Sequence, residues 1–256
     1  MSSYDSVIAS FPRAGRGWLC RMVEWTVRDS FGLTGELSPS ALEESVDYSE
    51  RRVPRLIEGF NRGEVRRNGV PASLISGTPR LIRTHDDRAT LEDRIGAFPT
   101  VLVCRDPIDS LVSFFHFRRD HRKAFDGTLS ESIRHPNQGP LRLARWYNTW
   151  GEAEPAHLVT FEQLKTDPEH ALGSVLDFLK IQTARPLAEI VDVWSFERRQ
   201  ALANTASQSS GLREGRVGTG REAMSSPDQE YVFSELDKHL LSQGRRLFDR
   251  AGYGAG

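Results

Sequence analysis

The most constraining feature of the sequence lies at residues 7–24, where a short apolar run leads through a glycine-containing turn into an amphipathic segment. This order predicts a buried strand, a loop and a helix. Gly15 and Gly17 let the backbone approach a ligand closely, and the start of a helix offers N–H groups without partners in the helix. With Arg13 and Arg16 beside them, the loop is predicted to bind an anion such as phosphate. The alternative is an ordinary strand-to-helix connection, in which glycine is also common.

Three later apolar segments predict further strands, at residues 80–85, 99–104 and 157–161. The second is a β-branched run typical of the middle of a parallel sheet. Helical patterns are predicted at about 17–28, 41–48, 50–61, 107–116, 141–150, 168–179, 186–194, 196–203 and 227–251. The alternation favours a single α/β domain over residues 1–256, doubly wound, with a central parallel sheet flanked by helices and a P-loop-like loop. A Walker P-loop is excluded, because the G-x-x-x-x-G-K-[ST] spacing is absent.

Composition narrows the class of protein. A chain of 256 residues is long enough to bury an α/β core without disulfides. Cys20 and Cys104 both lie in apolar segments, so a reducing, cytoplasmic location is expected. No apolar run approaches the length of a membrane span, and the 34 basic residues nearly cancel the 35 acidic ones. Neither a membrane nor a nucleic acid is therefore expected as a partner, and the seven histidines show no metal-ligand spacing.

Five polar stretches carry the candidate chemistry. They are FPRAGRGW at 11–18, PRLIRTH at 79–85, RDPIDSLVS at 105–113, FEQLKTDP at 161–168 and LREGRVG at 212–218. In this order and at these distances they resemble the cytosolic-type sulfotransferases that use 3′-phosphoadenosine 5′-phosphosulfate. The resemblance spans nearly the whole chain.

The first stretch resembles the family's 5′-phosphosulfate loop, usually written Y-P-K-S-G-T-T-W. Arg13 takes the position of the lysine that meets the sulfate-bridging oxygen, Gly15 keeps the tight turn, and Trp18 stands where an aromatic ring stacks on adenine. The positions at which hydroxyl residues are replaced are Ala14, Arg16 and Gly17. Backbone N–H groups and Arg16 are therefore expected to hold the 5′-phosphate.

The second and third stretches supply the expected base and the 3′-phosphate site. The resemblance implies that His85 takes the proton of the attacking O–H or N–H, a role that suits a group titrating near neutral pH. The alternative is a histidine that caps its strand or bonds a carboxylate. Arg83 stands at the family's lysine position and is expected to share transition-state charge with Arg13. Arg105 and Ser113 keep the spacing of the family's 3′-phosphate site.

The last two stretches complete the expected donor site. Phe161 stands where the family often has tyrosine, and it is expected to pack on the nucleoside. Arg213, Glu214 and Gly215 match the phosphate-binding turn, although Glu214 occupies a usually basic position. The resemblance implies transfer of a sulfuryl group from the co-substrate 3′-phosphoadenosine 5′-phosphosulfate to a hydroxyl or amine of a small-molecule acceptor, by in-line displacement and without a metal.

Two other functions stay open at this point. A nucleotide kinase-like phosphotransferase has a related sheet and loop, and a non-catalytic nucleotide-binding module would fit the altered loop. The acceptor is expected to contact segments 29–75, 114–147 and 205–225, and the basic residues Arg118, Arg119, Arg122 and Lys123 either receive an anionic acceptor or form a solvated face. The aromatics expected in the core rather than in a pocket are Phe114, Phe115, Phe117, Trp146 and Tyr147. Oligomeric state is not predicted.

Overall fold

Five short strands form the centre of the fold in the computed structural model, which describes residues 6–30, 57–59, 81–95, 98–195, 197–198 and 215–254. They are β1 (Ser6–Ser10), β2 (Ile57–Gly59), β3 (Leu81–Thr84), β4 (Thr100–Cys104) and β5 (Ala156–Thr160). All neighbouring strands run parallel, in the order β2-β3-β1-β4-β5. Because the chain continues from β1 to β2 and β3 on one side and to β4 and β5 on the other, the sheet has a switch point between β1 and β4.

Eleven α-helices are assigned within the described residues. They are α1 (Arg16–Ser30), α2 (Arg88–Ile95), α3 (Pro107–His116), α4 (Leu129–Arg134), α5 (Pro140–Trp150), α6 (Phe161–Thr166), α7 (Pro168–Leu179), α8 (Leu187–Val193), α9 (Thr219–Ala223), α10 (Ser226–His239) and α11 (Ser242–Arg250). Helix α3 continues into one π-helical turn, Phe117–His121. The two Asp-Pro pairs start helices as their sequence predicts, since Asp106 and Asp167 cap α3 and α7 and the following prolines occupy the first turn.

Helices cover both faces of the sheet, which explains why its strands read as continuous apolar runs. Along β1, Val7 and Ala9 pack into one buried cluster and Ile8 into the other. Along β4, Leu102 joins the first cluster and Val103 the second. The first cluster also contains side chains of α3, α5, α10 and α11, and the second contains those of α1, α7 and α8. The predicted α/β class with a central parallel sheet between helices is confirmed.

Both cysteines lie in the core, as their apolar sequence segments indicate. Cys20 and Cys104 are buried free thiols, and desolvation raises the pKa of both, to about 12 for Cys104. Of the helices that the structure describes, none has the length and apolar character needed to span a bilayer. Within the same residues no cluster of three or more His, Cys, Asp or Glu side chains could hold a metal ion.

Three segments differ from the sequence prediction. The helical pattern over 50–61 is wrong at Ile57–Gly59, which pair with β3 as strand β2, because a three-residue strand carries no period of its own. The single helix predicted over 227–251 is interrupted after His239, where the Asn148 side chain donates to the His239 carbonyl and accepts from the Leu241 N–H. Helix α9 lies in a stretch that shows no periodicity in sequence. The helix predicted at 41–48, and most of the one at 196–203, lie outside the described residues.

Candidate active site

Four of the sequence-predicted site positions follow the carboxyl ends of four adjacent strands. The loop at residues 11–15 follows β1, His85 follows β3, Arg105 follows β4 and Phe161 follows β5. Because these four strands are neighbours in the parallel sheet, the four positions lie along one edge. This is the edge at which open α/β sheets bind ligands, next to the switch point.

The loop between β1 and α1 is held in an unusual backbone conformation at two positions. Arg13 has a φ of 71° and Gly15 a φ of 94°. A positive φ strains the backbone of a residue other than glycine, and such strain at Arg13 is found mainly at functional sites. A Cβ on Gly15 would lie 2.7 Å from Cδ2 of Phe161, so glycine is needed for both conformation and space. A Cβ on Gly17 would meet no atom of the described residues within 4 Å. Buried Ala14 anchors the loop.

The Arg13 side chain lies against helix α3. Its Nε donates to Oγ of Ser113 at 3.3 Å, and its guanidinium carbon lies 5.0 Å from the ring centroid of Phe117. Nη1 of Arg105 in turn donates to the Arg13 carbonyl at 3.4 Å. The structure therefore brings together Arg13, Arg105 and Ser113, three residues that the sequence predicts in one donor site.

Arg105 is nearly buried, with 10% of its side chain exposed. Its guanidinium carbon lies 4.2 Å from the ring centroid of Phe161, and Nη2 makes long hydrogen bonds of 3.4 Å to the Asp109 carboxylate and the Arg216 carbonyl. Its Nε is buried and finds no hydrogen-bond partner in the part of the chain that the structure describes. A buried charged donor without a partner is costly, so this atom is suited to an anionic ligand.

The carboxylate of Asp109 organises the glycine-rich turn that precedes α9. Only 1% of the residue is exposed, and its Oδ1 accepts from the N–H of Gly220 at 2.6 Å while Oδ2 accepts from that of Gly218 at 2.8 Å. Sequence reasoning missed this role, although an acidic residue one helical turn after Arg105 is visible in the motif. Gly215, with a φ of 62°, is the one described residue of the predicted phosphate-binding turn. The other predicted members, Arg213 and Glu214, lie outside the described residues.

A second acidic group joins three parts of the chain beside the site. Glu162 accepts from the N–H of Asp106 at 3.0 Å and from the hydroxyl of Tyr253 at 2.7 Å. Desolvation, with the Glu162 charge next in effect, raises the pKa of Tyr253, which keeps this hydroxyl protonated as a donor. The Asp106 carboxylate also pairs with Arg221 at 2.9 Å. These contacts fix the ends of β4 and β5 relative to each other.

The rings of Trp18 and Phe161 pack against each other next to the β1–α1 loop. The indole N–H of Trp18 donates to the Trp194 carbonyl at 2.9 Å, and its ring meets that of Phe161 edge-on with centroids 6.2 Å apart. Trp18 and Phe161 are only 9% and 7% exposed. Phe161 contacts Gly15 and Arg105, so most of the surface predicted to face a nucleoside is covered by protein.

His85 is exposed at the end of β3, and both of its ring nitrogens have contacts. Nδ1 lies 2.8 Å from the Ser10 carbonyl oxygen, and Nε2 lies 2.8 Å from Nη2 of Arg16. A carbonyl only accepts and a guanidinium only donates, so the ring is neutral, with its proton on Nδ1 and a lone pair on Nε2. Desolvation and the charge of Arg16 lower the pKa of His85 to about 3, with smaller effects from Arg142 and Arg83.

The contact between Arg16 and His85 was not predicted from the sequence, which assigns Arg16 to the phosphate. Arg16 begins helix α1, and its guanidinium occupies the lone pair through which His85 would accept a proton. Arg83 is half-buried on β3 two residues before His85. The edge of the sheet thus gathers a neutral imidazole and the cations Arg13, Arg16, Arg83 and Arg105.

Fold and site together define a doubly wound parallel α/β protein with a group of arginines at the carboxyl edge of its sheet, next to the switch point. The sequence profile of the family described as the sulfotransferase domain matches residues 3–243. The chain therefore belongs to the sulfotransferase family, whose members transfer sulfuryl groups, and the predicted resemblance is confirmed.

The relatives are distant and extend over most of the chain. Human sulfotransferase 1C2 (Homo sapiens) is 24% identical over 235 residues, which are 84% of this chain and 75% of the relative. Sulfotransferase 1B1 of Mus musculus is 26% identical with the same coverage. Among solved structures, mouse sulfotransferase SULT7A1 complexed with PAP has a TM-score of 0.64 at 18% identity, covering 99% of this chain and 90% of the other. Retinol dehydratase in complex with androsterone and inactive cofactor PAP has a TM-score of 0.52 at 15% identity, covering 94% and 82%. At these identities the structural likeness shows the fold.

Proposed function

We propose that this sulfotransferase takes the sulfuryl group from 3′-phosphoadenosine 5′-phosphosulfate and transfers it to a hydroxyl or amine of a small-molecule acceptor, within one domain. The observation that carries the proposal is the buried Nε of Arg105, which has no hydrogen-bond partner among the described residues and offers an anion-binding position after β4 in addition to that of the β1–α1 loop. A donor with phosphates at both the 5′ and 3′ positions requires two such sites. The solved neighbours complexed with PAP support the same donor.

The residues present fit this donor. The N–H groups of the loop, with Arg13 and Arg16, would hold the 5′-phosphosulfate, since a helix N-terminus and two guanidiniums stabilise negative charge. Arg105 and Ser113 would hold the 3′-phosphate, together with the turn at 213–215. When bound, the donor supplies an activated sulfuryl group with a phosphate leaving group. The guanidiniums neutralise the charge that develops on that leaving group, so no metal ion is needed for this task.

His85 is the proposed general base, with Nε2 as the proton-accepting atom. The hydrogen bond from Nδ1 to the Ser10 carbonyl fixes the ring in the tautomer that leaves Nε2 with a lone pair. A donor phosphate would attract Arg16 away from Nε2. Because the charge of Arg16 is one cause of the low pKa of His85, its withdrawal would raise this pKa and open Nε2 to the acceptor. Arg13 and Arg83 would stabilise charge on the transferred group.

Calorimetric titration tests the donor. We expect 3′-phosphoadenosine 5′-phosphate to bind at least about tenfold more tightly than adenosine 5′-phosphate, because only the former reaches Arg105. Arg105→Gln should remove most of this difference and leave adenosine 5′-phosphate binding nearly unchanged. Stronger thermal stabilisation by ATP with Mg²⁺ than by 3′-phosphoadenosine 5′-phosphate would instead favour a kinase-like phosphotransferase.

Single-turnover transfer tests the base. His85→Gln should retain binding of 3′-phosphoadenosine 5′-phosphate and lose about 10²-fold or more in transfer rate, the usual contribution of general base catalysis. A variant that binds the product and also keeps the full rate would show that another group accepts the proton. Binding of the product without transfer to any member of a broad acceptor panel would favour a non-catalytic module.

A further inference from the structure

Three arginines near the candidate active site have no carboxylate partner within the described residues. Arg118 lies in the π-helical turn that extends helix α3, and Arg122 is the residue directly after this turn. Arg142 lies on α5. Among the described residues, the side chains of Arg118 and Arg142 donate hydrogen bonds only to the backbone carbonyls of Ala124 and Asn137. Arg119, between the first two in sequence, differs because it pairs with Asp120 at 2.6 Å.

Two of these cations share one aromatic ring. The guanidinium carbons of Arg142 and Arg118 lie 5.0 and 5.9 Å from the ring centroid of Phe114, and that of Arg142 also lies 5.8 Å from the ring centroid of Phe11. Desolvation and the charge of Arg118 lower the pKa of Arg142, against a longer-range effect of Asp87 and Asp86. Nε of Arg118 is buried and has no hydrogen-bond partner in the described chain. Two guanidiniums of like charge are thus held near one ring, and Nε of Arg118 can still donate a hydrogen bond to a ligand.

Arg142 of this pair lies within electrostatic reach of His85, the residue at which the proposed acceptor would lose its proton. In-line displacement places the attacking atom opposite the leaving group, and the proposed 3′-phosphate site at Arg105 lies past β1 on the β4 side. His85 lies on the other side of β1, after β3, and the charge of Arg142 is among those that lower its pKa. Phe114 immediately follows Ser113, and Phe11 lies two residues before Arg13. The two rings therefore connect the donor loop to the cations.

A third aromatic ring, that of Phe117, adds further arginine contacts at the end of helix α3. The ring of Phe117 contacts both Arg13 and Arg122, whose guanidinium carbons are 5.0 and 5.3 Å from its centroid. An aromatic ring held in this way keeps one arginine near the proposed sulfuryl group and presents another further out. The acceptor side thus combines aromatic rings with Arg118, Arg122 and Arg142, none of which forms an ion pair with a carboxylate of the described residues.

We infer that the acceptor is an anionic molecule, whose hydroxyl or amine is sulfated at His85 while a carboxylate, sulfate or phosphate elsewhere on it binds Arg118 and Arg142. This inference rests on the proposed sulfuryl transfer and deepens it. An anion between two guanidiniums accepts charge-assisted hydrogen bonds and relieves the repulsion between them. A neutral phenol or alcohol would leave both guanidiniums without an ion-pair partner among the described residues, so we expect the site to select against it.

Matched acceptors test the inference. We expect 4-hydroxyphenylacetate to be sulfated with a kcat/KM at least about tenfold above that of its methyl ester, which differs in charge at one position. Arg118→Gln and Arg142→Gln should each lower the ratio of kcat/KM for the carboxylate to that for the ester, because an effect of the lost charge on His85 acts on both acceptors alike. Arg119→Gln is the matched control, because it removes a neighbouring charge that is already paired. It should keep the full preference.

Direct binding keeps the inference testable without turnover. Calorimetry of 4-hydroxyphenylacetate and of its ester, with and without 3′-phosphoadenosine 5′-phosphate, should show binding of the carboxylate that weakens at least about fivefold in Arg142→Gln and not in Arg119→Gln. The same result without sulfation of any acceptor would overturn the proposed function and uphold the anion site. Sulfation of the ester as fast as the carboxylate, or equal preference in Arg142→Gln and the wild type, would overturn the inference alone.

Discussion

The carboxylate of Asp109 provides the sharpest test of how the site is assembled. It is buried, and its two oxygens accept hydrogen bonds from the N–H groups of Gly218 and Gly220. It also accepts a longer hydrogen bond from Arg105. Asp109→Asn keeps the volume of the side chain and changes only one oxygen into an NH₂ group. Whichever way the amide turns, one backbone N–H then faces a donor in place of an acceptor.

The expected cost follows from these contacts. Hydrogen bonds to a charged group contribute about 1.5–3 kcal/mol each, and a buried donor left unpaired adds about 1–3 kcal/mol. The substitution removes one strong bond, at 2.6 or 2.8 Å, and weakens the neutralisation of Arg105. We therefore expect the free energy of unfolding to fall by about 2.5–6 kcal/mol, the sum of these two contributions. Because the glycine turn before α9 is then less firmly held, affinity for 3′-phosphoadenosine 5′-phosphate should also fall, by about tenfold or more.

Two measurements check this expectation. Urea denaturation gives the change in the free energy of unfolding, and calorimetry gives the affinities for 3′-phosphoadenosine 5′-phosphate and adenosine 5′-phosphate. Affinity for the second ligand should change less, because it lacks the 3′-phosphate. Asp126→Asn, at an exposed position, is the control and should change both quantities little. A loss below about 1 kcal/mol in Asp109→Asn, with unchanged affinity, would refute the reasoning that the buried carboxylate holds the turn.

Two further predictions concern the loop and the base. Gly15→Ala should lower the free energy of unfolding by about 1–3 kcal/mol, because the new Cβ meets Phe161 at a positive φ, whereas Gly17→Ala, with open space, should change it by less than about 1 kcal/mol in urea denaturation. His85 has a pKa near 3 in the folded chain and near 6.5 when unfolded, so the unfolded chain binds the extra proton between these values and stability falls as pH drops from 6.5 towards 3. Urea denaturation between pH 7 and pH 5 should show a steeper fall in the free energy of unfolding for the wild type than for His85→Gln. The difference should be less than about 1.4 kcal/mol per pH unit, because solvent screens this exposed site. Parallel curves for the two proteins would contradict the low pKa.

Much of the fold could be predicted because its strands carry strong local signals. The run at 99–104 is β-branched and bounded by prolines, and the structure forms β4 at Thr100–Cys104. Strand β2 was missed because three residues carry no periodicity. The break between α10 and α11 was missed for a different reason. It depends on Asn148, a residue about ninety positions earlier, which satisfies the backbone groups at the interruption.

The candidate site could be predicted in its outline and not in its contacts. Arg13, Arg105 and Ser113 were predicted to share a site, and the structure places them in contact. Their roles stay predictions. The contact of Arg16 with His85 could not be foreseen, because it joins residues 69 positions apart through the end of a flexible side chain. Charge alone also gave no way to separate Arg118 from Arg119, which differ in their partners and not in residue type.

Helix α3 and its extension carry Asp109, Ser113 and Phe117 at intervals of four residues, so these side chains lie along one side of a single rod. Asp109 holds the glycine turn, and Ser113 and Phe117 both contact Arg13. One inserted residue between Asp109 and Ser113 would rotate everything beyond it by about 100° and move it by about 1.5 Å. The residues proposed to hold the donor and those proposed to face the acceptor therefore depend on the same helical spacing. Evolution can vary the loops around this helix more freely than the number of residues in it.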